Sequence, residues 1–308
     1  MKSKYLLLIP TLLLVGCNQS VNTDNLKIVC PTGAPAFAFY KEAGNSNFET
    51  NSTPSNIVAM LSNASDKDVV VIDTVSGIKA INNGAPYKLA ATITFGNFFI
   101  ASTGNDTDNT MDVDDKIVLF GQNQTPDYIF HYLYGNTYDS AIEYVTNVQD
   151  AAKCLISGKN AVTTSTVDYV FVAQPILYNA LKKNAKASKF IDIQDAYQTK
   201  SNGKSLIQAS VFIKNTVEKK VSDAFLKELN SNISDAIKNP DVITDSLKEY
   251  SADELTALYG VDPSIAVEVI KDNNSLGLGY KNAKENKDAI DAFINLFSLN
   301  STDEKIYY

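Results

Sequence analysis

The side chains able to do chemistry in this 308-residue chain are few and scattered. Its one histidine, His131, lies among bulky residues in "YIFHYL". No G-x-S-x-G elbow and no glycine-rich phosphate loop is present. A nucleophile–base set would have to be built on His131 alone, and nothing in the sequence places a serine or cysteine beside it. A half-buried structural role on a helix is the better account of that residue. Asp112, Asp114 and Asp115 alternate as calcium ligands do, but the stretch has neither the sharp-turn glycine nor the terminal glutamate of an EF-hand loop. They read as solvated charge. Arginine is absent, so no guanidinium fork can hold a carboxylate, sulfonate or phosphate. A zinc or manganese site of several histidines is equally excluded. No metal, no cofactor and no enzymatic activity are expected.

What does recur is a joint: an apolar run, a few small, hydroxylated or amide-bearing residues, then an amphipathic segment. The first is Pro31-Thr32-Gly33-Ala34-Pro35, the second Asp73-Thr74-Val75-Ser76-Gly77, and the third Thr94-Phe95-Gly96-Asn97. A fourth spans Gly121-Gln122-Asn123-Gln124-Thr125 before Pro126, and a fifth is Thr163-Thr164-Ser165. In open α/β sheets, ligands collect where strands end and helices begin. Helix N-termini leave N–H groups unpaired and partly positive, so they can hold a polar oxygen or an anion without arginine. The ligand-binding candidates are therefore Thr32, Gly33, Ala34, Pro35, Asp73, Thr74, Ser76, Gly96, Asn97, Gln122, Gln124, Thr125, Thr164, Ser165 and Gln174. The bare Pro31–Pro35 turn suggests binding by main-chain amides.

Each candidate has a plainer alternative. The Ser and Thr residues are natural helix N-caps, and Asp73 caps a helix as readily as it meets a ligand amine. Gln174, read as lying on an apolar helix, either reads polar ligand edges or makes a structural hydrogen bond near a hinge. Tyr128 and Tyr169 either stack on a planar ligand or pack in the core.

The elements that must position these joints alternate. Strand-like runs cover 26–30, 68–73, 87–94, 97–102, 116–120, 142–146, 160–164, 189–193 and 206–214. Helix-like runs cover 35–43, 54–62, 76–82, 125–134, 149–157, 165–184 and 216–238, and the C-terminal third from 216 to 299 reads as almost all helical. This order implies α/β architecture with mostly parallel sheets. The acidic stretch "NDTDNTMDVDD" interrupts it and suggests two lobes: 26–105 plus 206–308, and 115–195, with hinge crossings at 106–114 and 196–205. A single domain with a long acidic loop is the alternative.

The chain opens with Lys2 and Lys4, an apolar run from Tyr5 to Val15, and Leu14-Val15-Gly16-Cys17. The run is too short to serve as a permanent membrane span. Its order resembles a bacterial lipobox, which makes 1–17 a signal peptide, Cys17 the lipidated residue and 18–25 a flexible tether; an ordinary secretion signal is the alternative. Without Lys2 and Lys4 the 27 basic residues fall to 25 against 35 acidic ones, a net charge near −10. That disfavours nucleic acid and anionic lipid surfaces. Cys30 and Cys154 are too few for a disulfide framework and read as buried small hydrophobes.

Taken together, "PTGAPAFAFYKEA", "DVVVIDTVSGIKAINNG", "LFGQNQTPDYIFHYL" and "DYVFVAQPILYNAL" resemble the lipoprotein substrate-binding components of ABC importers, in the group associated with nitrate, sulfonate, taurine and thiamine-precursor uptake. The resemblance covers essentially the whole chain after the signal. It implies a two-lobed type II periplasmic-binding-protein fold with a helical C-terminal region, and capture of a small-molecule ligand between the lobes. It also implies hand-off to a membrane permease driven by a cytoplasmic ATPase. A lipid-anchored monomer outside the cytoplasm is expected, with a vitamin, a vitamin precursor or a sulfonate- or nitrate-like ligand. Family members often carry an acidic residue before the proline of the last motif; Gln174 stands there in this chain and removes that charge. The alternative is a surface lipoprotein of the same fold acting as a sensor or adhesin.

Overall fold

Residues 21–62 and 65–308 are the described part of the computed structural model; the proposed signal peptide, Cys17 and the start of the tether lie outside it. β1 (Ile28–Pro31) leads through Thr32 and Gly33 into a 3-10 helix at Ala34–Glu42. Then follow β2 (Phe48–Asn51), α1 (Pro54–Ser62), β3 (Val69–Asp73), α2 (Thr74–Asn82), β4 (Tyr87–Thr94) and β5 (Phe98–Ser102). The middle of the chain forms β6 (Ile117–Phe120), α3 (Thr125–Tyr134), β7 (Ile142–Val145), α4 (Val148–Ser157), β8 (Tyr169–Ala173), α5 (Ile176–Lys183), β9 (Ser188–Asp192) and α6 (Ile193–Lys200). The last part holds β10 (Ala209–Lys214), α7 (Lys219–Lys238), α8 (Asp241–Leu247), α9 (Ala252–Tyr259), α10 (Pro263–Lys271), β11 (Leu278–Asn282) and α11 (Lys287–Ile294).

Two sheets form, ordered β11-β4-β10-β3-β1-β2 and β7-β6-β8-β5-β9. The pairings β1–β2, β1–β3, β6–β7 and β6–β8 are parallel; those made by β5 and β10 are antiparallel. β1 to β4 thus share one direction, as do β6 to β9. β5 and β10 oppose them because each enters its sheet straight from the other one. β4 ends at the face where the sheets meet, the chain crosses through Phe95–Asn97, and β5 starts at that face and runs away from it. β10 does the same after the return crossing through α6 and residues 201–208.

Several boundaries differ from the sequence reading. β5 pairs Phe98 with Ala173 and so belongs to the second sheet; the first crossing lies at 95–97, not in the acidic stretch at 106–114. The apolar run "YVFVA" at 169–173 is a fully buried strand in the middle of the second sheet, not part of a helix from 165 to 184. Residues 160–164 form turns rather than a strand, with a lone bridge between Lys159 and Thr166. The short polar strands β2 ("FETN") and β11 ("LGYKN") occupy sheet edges, where few residues need to be apolar.

Burial explains the layers. Val69, Val71 and Val211 face one side of the first sheet and pack with Phe37, Phe225 and Leu229. Val70, Ile72 and Phe212 face the other side, with Ile57 and Ile78. The second sheet sends Val118, Val170 and Val172 toward Ala151 and Leu155 of α4. That helix is capped by the Asn147 side chain, which accepts from Asp150 N at 2.9 Å, and it ends at Gly158. Cys30 and Cys154 are free and buried in different sheets' cores.

The C-terminal segment joins the lobes a third time. Leaving β11 on the first sheet, it sets Phe293 edge-on to Tyr197 of α6 and Phe297 4.7 Å from Tyr128 of α3. It then returns to pair Tyr307 with Leu89 of β4. No helix among the described residues is long and apolar enough to cross a membrane.

Candidate functional site

The carboxyl ends of β1, β3, β6 and β8 converge on a cavity of about 600 Å³ between the two sheets. Of the sequence candidates, Thr32, Gly33, Ala34, Pro35, Asp73, Ser76, Asn97, Gln124, Thr125 and Gln174 line it. Thr74, Gly96, Gln122, Thr164 and Ser165 do not.

At the first joint, Gly33 has φ +94° and ψ −150°, a conformation almost restricted to glycine. A Cβ there would meet nothing within 4 Å, so the backbone is open on that side. Most of the turn's amides are nonetheless engaged. Thr32 N donates to Asn51 O at 3.3 Å, Gly33 N to Tyr259 O at 2.9 Å and Ala36 N to Gly33 O at 3.0 Å. Two prolines have no N–H to give, which leaves Ala34 N–H. The bare turn is therefore chiefly a braced support rather than an amide cradle. Its brace is the end of α9: Tyr259 stacks on Phe37 with centroids 4.8 Å apart, and Gly260 packs beside Thr32.

At the second joint, Asp73 caps α2 by accepting from Ser76 N at 2.9 Å. Burial pushes its carboxyl above the usual carboxylate range despite the bonds from Ser76 and the nearby Lys79. Lys79 is exposed at the cavity lining and forms no salt bridge among the described residues. Among the described residues, Asp73 and Lys79 are the only charged ones in the lining. Thr74 points away: its hydroxyl lies 2.7 Å from Ser210 Oγ in the sheet core, and its N–H donates to Gln208 O.

At the fourth joint, Gln124 precedes α3 without capping it. Asn123 N donates to Asp127 Oδ2 at 2.7 Å, while Thr125 and Tyr128 face the cavity. Gln122 is exposed outside it. His131 lies one turn further on, 3.0 Å from Asp127 Oδ1 and 3.2 Å from Asp139 Oδ1, outside the lining. Burial lowers its pKa, but contacts with Asp127 and Asp139 outweigh that and hold it above the ordinary value.

The fifth joint sits at the wrong end. Residues 159–166 precede β8, so Thr164 and Ser165 lie by its amino end, opposite the cavity. Ser165 donates to Glu143 at 2.8 Å, and Thr163 and Asn160 bind the same carboxylate at 2.7 Å. Tyr169 starts the strand there, buried, with its hydroxyl on Asp106 at 2.5 Å.

The joint the sequence concealed follows β8. Ala173 ends that strand, the Gln174–Pro175 peptide is cis, and α5 begins. Gln174 is only 2% exposed. Asn97, from the first crossing, donates through Nδ2 to Gln174 O and accepts through its own carbonyl from Gln174 N, both at 2.8 Å. Its side-chain oxygen accepts from Gln208 Nε2 on the return crossing at 2.9 Å. Asn97 is thus a clasp between crossings, with its side-chain amide and its main-chain carbonyl engaged. Gly96, with φ +84°, faces Gln194 and Leu206 of the return crossing.

Gln208 was missed, as were Gln149, Lys79, Ser55, Phe98, Phe120, Tyr259 and Phe297. Gln149 stands in the first turn of α4 after β7, the same kind of joint as the others, and was legible on that basis. Phe297 and Tyr259 come from a C-terminal region with no local signal.

No protein-family model matches the sequence, and none of the curated proteins does. Solved structures do. A crystal structure described as an ABC transporter from Parabacteroides distasonis is 20% identical, covering 92% of this chain and 98% of that one, with a TM-score of 0.72. The alkanesulfonate-binding protein SsuA from Xanthomonas axonopodis pv. citri, bound to MOPS, is 12% identical over 89% of this chain and 92% of its own, at 0.56. A Candida albicans protein described as exhibiting the generic periplasmic binding protein fold is 10% identical over 91% and 92%, at 0.50. Two sheets linked by switching strands, with a cavity at their shared edge, give this chain the periplasmic-binding-protein fold.

Proposed function

We propose that this chain is the solute-binding component of an ABC importer, holding a small organic molecule between its lobes and passing it to a permease energised by a cytoplasmic ATPase. The observation that carries the reading is the cavity itself: it lies where the carboxyl ends of both sheets meet, lined from both sides and spanned by crossings that can act as a hinge. Ligand contacts to both lobes would favour a closed form over an open one. The solved structures described as an ABC transporter and as an alkanesulfonate-binding protein support the same role. The role is one of binding and carries no reaction.

Thr32 and Thr125 supply hydroxyls with no hydrogen-bond partner among the described residues, Ser76 adds one beside Asp73, and Phe98, Phe120 and Tyr128 supply apolar surface. With one carboxyl, one lysine and no arginine, the lining suits a neutral heteroaromatic or weakly anionic solute, such as a vitamin or its precursor. A sulfonate or nitrate would rely on Lys79 and the start of α3. The protein would act as a monomer outside the cytoplasm, tethered through a lipid on Cys17; the Leu14–Cys17 sequence supports this.

Deletion of the chain tests the role. Loss of uptake of a solute that the purified protein binds is the expected result; unchanged uptake with altered adhesion or signalling would overturn it. Labelled palmitate should enter the wild-type protein and not Cys17→Ala.

A further inference from the structure

Two amide atoms of cavity-lining residues are buried and have no hydrogen-bond partner among the described residues: Gln174 Nε2 and Gln208 Oε1. Their identities are set by their neighbours rather than by an arbitrary choice of amide flip. Tyr178 N–H can only donate, so Gln174 must turn its Oε1 to it, at 3.1 Å, and Nε2 is left over. Asn97 Nδ2 is committed to Gln174 O, so Asn97 presents Oδ1 to Gln208. Gln208 must answer with Nε2, at 2.9 Å, and its Oε1 is left over. The second lobe thus offers one unspent donor and the first lobe one unspent acceptor, on either side of the same asparagine.

We infer that this pair selects solutes carrying an uncharged acceptor and donor side by side: a carboxamide, lactam or ureido group. The inference rests on the solute-binding reading and narrows it. A carboxylate or sulfonate has acceptors only, so it can satisfy Gln174 Nε2 but faces Gln208 Oε1 lone pair to lone pair. An ammonium has the opposite fault. An amide edge meets both atoms, and a buried polar atom left unmatched is what makes such sites discriminate. A contact from each lobe to the same ligand group also ties recognition to closure of the cleft. An acidic residue in place of Gln174 would present only acceptors; the glutamine is what makes the pair complementary.

Matched amide and acid pairs test this by calorimetry: nicotinamide with nicotinate, benzamide with benzoate, and glutamine with glutamate, together with taurine and MOPS. For any pair that binds, the amide should bind about tenfold tighter or more. Gln174→Glu preserves the acceptor for Tyr178 N–H, so it should fold as the wild type does by circular dichroism and thermal melting. It should weaken amide binding about tenfold, because the Nε2 donor is gone, and should not strengthen the acid, which then faces acceptors on both sides. Gln208→Leu should weaken the amide while leaving the acid within about twofold. Acids or sulfonates that bind as tightly as amides, or amide binding unchanged in Gln174→Glu, would overturn this inference and leave solute binding standing. Failure of every compound to bind would overturn both.

Discussion

Gln208 Nε2 lies 2.9 Å from Asn97 Oδ1, joining the two crossings on which the lobes would hinge. Asn97 also holds the main chain of Gln174 by two bonds of 2.8 Å. Truncation would strand Gln208 Nε2 and Gln174 O in a buried place. Asn97→Ala should cost about 1–3 kcal/mol in urea denaturation, whereas Gln122→Ala, at an exposed site, should stay within about 0.5 kcal/mol.

The C-terminal strap makes a second prediction. Phe297 lines the cavity and packs 4.7 Å from Tyr128, while Phe293 meets Tyr197. Because the segment is anchored on the first sheet at both ends, these aromatic contacts tie it to α3 and α6. Phe297→Ala should increase amide hydrogen exchange at 125–134 and 193–200 more than in α7, and should cost about 1 kcal/mol beyond the lost area. Uniform exchange across all three helices would contradict this.

Gly33 and Gly77 are constrained in different ways. Gly33 has open space but a backbone suited to glycine alone, so Gly33→Ala should destabilise by about 1–3 kcal/mol without any clash. A Cβ on Gly77 would stand 2.0 Å from the Phe212 ring, so Gly77→Ala must push α2 off β10. It should be destabilising by a similar amount through overpacking. Pairing it with Phe212→Leu should recover part of the loss, and the same Phe212→Leu change should not rescue Gly33→Ala.

His131 gives the pH dependence. Its pKa in the folded protein is raised, since Asp127 and Asp139 outweigh burial, while Tyr144 hydrogen-bonds Asp127 from β7. The stability it contributes is fully present below its ordinary value of 6.5 and is lost as pH rises through the higher folded value. Thermal melts between about pH 5 and about pH 8 should show His131→Gln most destabilised at the acidic end, with the gap closing toward the alkaline end. A constant gap would remove the histidine from the account.

These residues also show what a sequence can convey. Joints after β1, β3 and β6 were legible because a β-branched run ends in small polar residues before an amphipathic one. The joint after β8 was not: "YVFVAQPILYNAL" is apolar on both sides of Gln174, and a buried strand running into a helix has no change of period to mark the boundary. Thr164 and Ser165 mimic a joint in composition, but strand direction decides which end of the sheet they occupy, and direction is a property of the topology. Gln208 and Phe297 reach the cavity only through the return crossing and the C-terminal strap. The role of Asn97 as a clasp depends on partners 77 and 111 residues away.

The central claim, that solutes bind between the lobes, is tested most directly by thermal shift with a blocked cleft. Ser76→Trp would fill the lining from the first turn of α2, and its own melting temperature gives the baseline. At about a hundred times Kd, a solute from the amide, carboxylate or sulfonate panel should raise the wild-type Tm by about 5 °C or more and leave Ser76→Trp unmoved. If no solute shifts the wild type, or if one shifts both proteins equally, the cavity is not the binding site.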